Sequence, residues 1–326
     1  MLRYLIYRLF LTLPLLVGIT LVSFLVIQLA PGEPLVTEHA FNPEVSAEHI
    51  DKLRARFNLD KPLHVQYWLW LQNVAVLDFG TSFSPDGRTV MEKIAERLPV
   101  TLWMNVISLL LVLLVAVPLG VQAARTPHGM FDKTTTVLVF TAFAAPSFWI
   151  GLLGLMLFGV VLEWVPTSGI ASYGSQEWPL WQRVLDWGHH LLLPILIGTL
   201  GAIAGMSRYM RTSMLEQTQQ DYITTARAKG VPEGQVYYRH ALRNALLPVI
   251  TILGLSVPGL IGGSVIIESL FSIPGMGKLF FEAVMQRDYP LIMGVLTIGA
   301  VLTLLGNLLA DIAYALADPR IRYGNT

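Results

Sequence analysis

The sequence predicts an all-α membrane protein: six transmembrane helices with a helical insertion between the first two. Three observations lead there. Of 326 residues, 54% are hydrophobic and 13% charged, against the roughly 25% charged residues of an ordinary soluble domain. Six apolar runs reach, or nearly reach, the roughly 20 residues needed to cross a hydrocarbon core as a helix. Lys and Arg gather in alternate connections, as they do in a multispanning chain.

The first run, 9–30, follows Arg3 and Arg8. It is longer than the roughly 7–15 residues of a signal-peptide core, and Pro31 follows without an A-x-A site, so it reads as a retained N-terminal helix over 1–30. Residues 31–99 form the insertion. Ser46 can cap a helix with Ile50, Leu53 and Phe57 at helical spacing, and Thr89 with Glu92 forms a capping box ahead of Ile94 and Leu98. The insertion suits both a cap on the bundle and a platform for an external partner.

The second and third runs cover 100–124 and 134–162. The fourth, 191–206, is the shortest, which leaves His189 and His190 at its interfacial end. The fifth, 246–267, and sixth, 291–317, complete the set. Gly198, Gly201 and Gly205 in the fourth run, and Gly254, Gly259, Gly262 and Gly263 in the fifth, predict close helix packing, with Gly201 and Gly205 as a G-x-x-x-G pair. Pro258 removes a backbone donor inside the fifth run and predicts a kink. Pro258, Gly262 and Glu268 are candidates for lining a path. Glu163, Glu268 and Asp311 fall at ends of runs, where a charge is cheaper than at the bilayer centre.

Arg3, Arg8, Arg125, Lys133, Arg208, Arg211, Arg227, Lys229, Arg239, Arg243, Arg320 and Arg322 lie on one side of this topology. Only Arg183, Lys278 and Arg287 occupy the short connections opposite. The positive-inside rule therefore places both termini in the cytoplasm.

Formal net charge is zero, which provides no basis for nucleic-acid binding, and cysteine is absent, which excludes disulfides and thiol catalysis in this chain. No G-x-S-x-G elbow, H-E-x-x-H pair or mid-span aspartate pair supports catalysis or a metal site. Gly277-Lys278 continues into Leu279 and is no phosphate loop. Mid-span acids suited to ion coupling are also missing, which weakens an ion-coupled secondary transporter as the alternative class.

The most distinctive segment is 221–248, a basic, helix-prone island between apolar runs. Asp221 opens a short helix carrying Ala226 and Ala228, and Gly230 followed by Pro232 is the expected stop. In this block, D-Y-I-T-T-A-R-A-K-G with R-H-A-L-R-N-A-L-L-P, the chain resembles the B-type membrane subunit of dipeptide/oligopeptide ABC importers. The likeness continues in Gly18-Ile19-Thr20, Phe24, Pro31-Gly32-Glu33-Pro34, Leu59-Asp60-Lys61-Pro62, Tyr67 and Asp78-Phe79-Gly80-Thr81-Ser82. It extends through Glu268-Ser269-Leu270-Phe271, Pro274-Gly275-Met276-Gly277, Arg287-Asp288-Tyr289-Pro290 and Asp318-Pro319-Arg320. Thr224-Thr225-Ala226 stands where importer permeases in general carry E-A-A, and Leu247-Pro248 comes later than their I-x-L-P.

The resemblance implies a type I ABC importer permease fold with its core domain over 94–317, a cytoplasmic ATPase-docking loop over 207–245 and a tail over 318–326. Docking would fall to Tyr222, Thr224, Thr225, Ala226, Ala228, Lys229 and Gly230. The implied partners are a paralogous C-type permease subunit, two ABC ATPase subunits that bind ATP and Mg, an external solute-binding protein and the lipid bilayer of a prokaryotic inner membrane. This chain would hold no cofactor. Dipeptides or short oligopeptides are the implied cargo, with nickel chelates and glutathione as alternatives on the same architecture.

Overall fold

The structure, a computed structural model, describes residues 2–29, 55, 58–260 and 262–317, with 2–9, 255, 257, 258 and 310–317 as backbone alone. The segments 31–34 and 318–320, the helix predicted after Ser46, and the side chain of Asp311 lie outside the described residues.

Helices dominate the described residues. They are α1 (Leu2–Leu29), α2 (Leu63–Ala75), α3 (Val90–Arg125), α4 (Met130–Ala144) and α5 (Ser147–Gly154), the last running into a π-helical segment Leu155–Val161. Next come α6 (Leu180–Thr218) and α7 (Asp221–Ala228). A stretch starting at Glu233–Gln235, widening to a π segment over Val236–Ala241 and ending at Leu242–Ala245 is α8. Then follow α9 (Leu247–Ser256), α10 (Val265–Leu270), α11 (Met276–Gln286) and α12 (Tyr289–Ala317). A lone antiparallel bridge, Thr81 to Thr89, is the β-type pairing among the described residues.

Among the described residues, four helices are long and apolar enough to cross a membrane, and five spans result if α4 and α5 with its π segment count as one. The predicted third span is therefore bent, by 98°. Pro146 forces Ala145 into an extended conformation (φ −85°, ψ 133°), so the helix stops and restarts in a new direction. The fourth predicted span, read as the shortest, belongs to a helix of 39 residues, because polar flanks hid its continuation. The fifth is not one helix. After ten residues α9 tightens into a 3-10 turn, Val257–Leu260, around Pro258 and Gly259, and the chain resumes helix only at Val265.

The chain forms two compact units. One comprises Met1–Thr101, Ile261–Val265 and Gly275–Gly306; the other comprises Leu102–Leu260, Ile266–Pro274 and Asn307–Thr326.

In the first unit, residues quoted separately from the sequence meet. Thr20 of α1 shares a hydrogen bond with the Tyr67 hydroxyl of α2 at 3.0 Å, and the Phe24 and Tyr67 rings lie 5.3 Å apart. The capping box forms as predicted: Thr89 N–H donates to Glu92 Oε2 at 3.0 Å, and Glu92 N–H to Thr89 Oγ1 at 3.2 Å. The helix it opens continues as α3, so the predicted insertion helix and second span are a single element. Buried Lys93 donates to Ser82 Oγ (2.9 Å) and pairs with Asp86 (3.1 Å), while the Ser82 hydroxyl donates to buried Asp288. Asp288 Oδ1 also accepts from Leu291 N–H at 3.2 Å and so caps α12. Phe79, Val90, Ile94, Leu279, Leu291 and Val295 pack beside this network.

In the second unit the core draws on α3, α6, α7, α8 and α9: Val121 and Ala124, Met210 and Met214, Ile223 and Ala226, Val236, Ala241 and Ala245, then Val249. Four of the glycines predicted to pack closely have open space beside them within this chain. A Cβ added at Gly198, Gly201, Gly205 or Gly259 would meet nothing within 4 Å. The close approaches fall elsewhere in this unit, at Gly120 against α6 and at Gly151 against Leu270.

Candidate functional site

The short helix α7 sits in the turn between α6 and α8, and its two faces differ in kind. Ile223 is fully buried and Ala226 is 7% exposed, both within the core of the second unit. Tyr222, Thr224, Thr225, Ala228, Lys229 and Gly230 are exposed. Six of the seven docking candidates thus share the outer side of this turn, whereas Ala226 faces inward. The three-residue repeat from Ile223 to Ala226 is one helical face, and the small size of Ala226 serves packing against the protein's own core.

The end of α7 is built by backbone hydrogen bonds. Gly230 N–H donates to Arg227 O at 2.9 Å and Val231 N–H to Ala226 O at 3.2 Å, with Gly230 at φ +74°. This pair of bonds is the Schellman arrangement, and Ala226 and Val231 both join the core, supplying the apolar contact that accompanies it. Asp221 in the first turn and Arg227 in the last match the helix dipole. Across the following turn Arg227 grips Glu233 through two nitrogens, at 2.8 and 3.3 Å. That hydrogen bond, ahead of any other influence, holds the Glu233 carboxyl below its ordinary range and raises the Arg227 guanidinium.

Two contacts escaped sequence inspection. Ser213 of α6 donates its hydroxyl to Ala245 O of α8 at 3.0 Å, within the buried core. Arg125, the last residue of α3, lies over the rings of Tyr237 and Tyr238, at 5.9 and 5.7 Å. The adjacent tyrosines beside a basic island were the available signal. Together with the shared core, these contacts join α7 and α8 to the ends of α3 and α6.

The path candidates fall in different elements. The Pro258 side chain is outside the described residues, and the residue stands in the 3-10 turn that ends α9. Gly262 follows in irregular chain and counts with the first unit, while Glu268 on α10 counts with the second. Glu268 is completely buried, an interior position in contrast to the interfacial one expected. The break at Pro258 and Gly259 has a support: Asn105 of α3 donates its amide to Leu260 O at 2.7 Å, satisfying a carbonyl that no continuing helix would reach.

The sequence model of the family described as "Binding-protein-dependent transport system inner membrane component" matches residues 116–323, and the model for the N-terminal part of such membrane components matches 1–105. The chain belongs to this family of transport-system membrane components. Among its relatives, the oligopeptide transport system permease protein AppB of Bacillus subtilis is 44% identical over 323 residues, covering 99% of this chain and all of the relative. A putative peptide permease protein of Brucella suis is 39% identical over 322 residues, 99% of each chain. The glutathione transport system permease protein GsiC of Salmonella choleraesuis is 38% identical over 325 residues, covering 99% of this chain and all of the relative.

Proposed function

We propose that this permease forms half of the translocation path of an ATP-driven importer of dipeptides or short oligopeptides. The observation that carries this is the α7 turn: a polar, basic outer face on a helix whose inner face is part of the core it shares with α3, α6, α8 and α9. The full-length likeness to peptide permeases supplies the cargo class.

In this reading the apolar segments thread the inner membrane six times, with 246–267 crossing as a broken span. Both termini and the loop over 207–245 face the cytoplasm, and residues 31–89 lie outside. Two ATPase subunits engage Tyr222, Thr224, Thr225, Ala228, Lys229 and Gly230. A paralogous membrane subunit completes the path, and an external binding protein delivers the solute. Hydrolysis takes place on the ATPases, and this chain transmits it. ATP binds the two conformations of the assembly with different free energies, and the difference is delivered to the spans through the α7–α8 core.

A second reading keeps the architecture and makes glutathione the cargo, as the 38% identity to a glutathione permease allows. The deciding experiment measures ATP hydrolysis by the reconstituted complex with its binding protein empty, then loaded with dipeptides, longer peptides or glutathione. Stimulation by peptides establishes the first reading. Stimulation by glutathione alone replaces the cargo, and absence of any associated ATPase activity rejects both.

A further inference from the structure

Within the second unit, α3, α4 and α6 line a half-open cavity of about 550 Å³. Its hydrocarbon lining comes from Leu119 on α3 and from Val137, Val139 and Phe140 on α4, of which Val137 and Phe140 are also open to the outside. Lys133, Arg208, Arg211 and His128 line it as well. We propose that this cavity binds one anionic phospholipid, with its phosphate at Lys133 and Arg208 and an acyl chain along Phe140.

The charge balance points to an anion. Asp132 is the carboxylate among the lining residues, and it is already engaged: Arg211 holds both oxygens, at 2.6 and 2.7 Å, and His128 N–H donates to one at 2.9 Å. Arg211 is thereby neutralised. Lys133 and Arg208 remain, and among the described residues neither has a carboxylate within ion-pair distance. The Arg208 guanidinium lies over the Phe140 ring at 5.0 Å, which poises it where the apolar slot opens.

The slot selects for a tail. A soluble phosphate would satisfy the cations and leave the carbon-lined interior unfilled, whereas a lipid satisfies both. Position agrees, because Lys133 lies in the first turn of α4 and Arg208 just beyond the apolar stretch 191–206 of α6. Cations at the ends of apolar stretches sit at headgroup level, and basic pockets between spanning helices are suited to lipid phosphates. Met130, Val137, Leu138 and Phe140 of α4 are exposed, as on a surface that meets acyl chains.

Each basic residue near an anionic membrane favours binding by about fivefold, so the pair is expected to give about a thirtyfold preference. The test is native mass spectrometry of the complete transporter complex titrated with phosphatidylglycerol and with phosphatidylcholine of matched chains. The wild type should retain phosphatidylglycerol at least tenfold better. K133Q and R208Q should each reduce that preference about fivefold, and the double variant should abolish it. R183Q, at a cation stacked on Trp187 in α6, should leave it unchanged. Equal retention of the two lipids, or selectivity that survives in the double variant, overturns the proposal. Glycerol phosphate competing as well as the lipid would make this a soluble-anion site and overturn it too, as would lipid binding to the isolated chain alone, which would mean that a partner subunit covers the cavity. Lipid retention is read without transport, so the result is independent of the cargo.

Discussion

Gly120 of α3 lies so close to Ser207 of α6 that a Cβ on the glycine would stand 2.6 Å from the Ser207 carbonyl oxygen and 2.9 Å from the Arg211 nitrogen. Both neighbours are helix backbone, which yields only if the helices part. Gly120→Ala should therefore destabilise the permease by about 1–3 kcal/mol, the usual cost of overpacking. Gly201→Ala, where the added methyl meets nothing within this chain, should not alter the isolated subunit. Thermal unfolding of the two variants in detergent distinguishes them, and equal melting temperatures would refute the close contact.

The two faces of α7 should respond differently to substitution. Ile223→Ala removes a fully buried side chain and should cost about 2–5 kcal/mol, seen as loss of assembled complex. Tyr222→Ala and Thr225→Arg alter the exposed face and should leave yield intact while lowering the ATPase response to loaded binding protein at least tenfold. A normal response in both surface variants would exclude this face as the docking site.

Gly230 separates a helix cap from a contact surface. At φ +74° any other residue is strained, so Gly230→Ala should cost about 1 kcal/mol. Its Cβ would meet open space, so alanine should spare most transport. Gly230→Arg adds a bulky charge to the same outer side and should uncouple ATP hydrolysis from uptake in a complex that still assembles. Uptake by the arginine variant equal to that of alanine would reduce Gly230 to a cap.

The Arg227–Glu233 pair predicts a pH dependence of defined sign. Glu233 is held below its ordinary value of 4.5 in the folded protein. Its contribution is therefore fully present above that value and is lost as pH falls through the lower folded value. Hydrogen exchange across the α7–α8 turn should show less protection in Glu233→Gln than in wild type at pH 7, with the difference closing as pH falls below 4.5 through the lower folded value. A difference that persists in acid would mean the carboxylate charge is not what orders the turn.

The sequence by itself determined the membrane class, the capping box at Thr89 and Glu92, the stop at Gly230 and the family. Each depends on composition or on residues a few positions apart, where propensity and hydrogen-bond geometry are local. The structure alone decided that Ala226 faces inward, that 134–162 bends at Pro146, and that 246–267 is broken and supported by Asn105. It also moved close packing from the G-x-x-x-G of α6 to Gly120, joined Lys93 and Ser82 to Asp288, and paired Asp132 with Arg211. These are meetings between elements distant along the chain. An apolar run shows its length and not its partner, because every face of a membrane helix is apolar, and only packing reveals which glycine, carboxylate or amide a neighbour will reach.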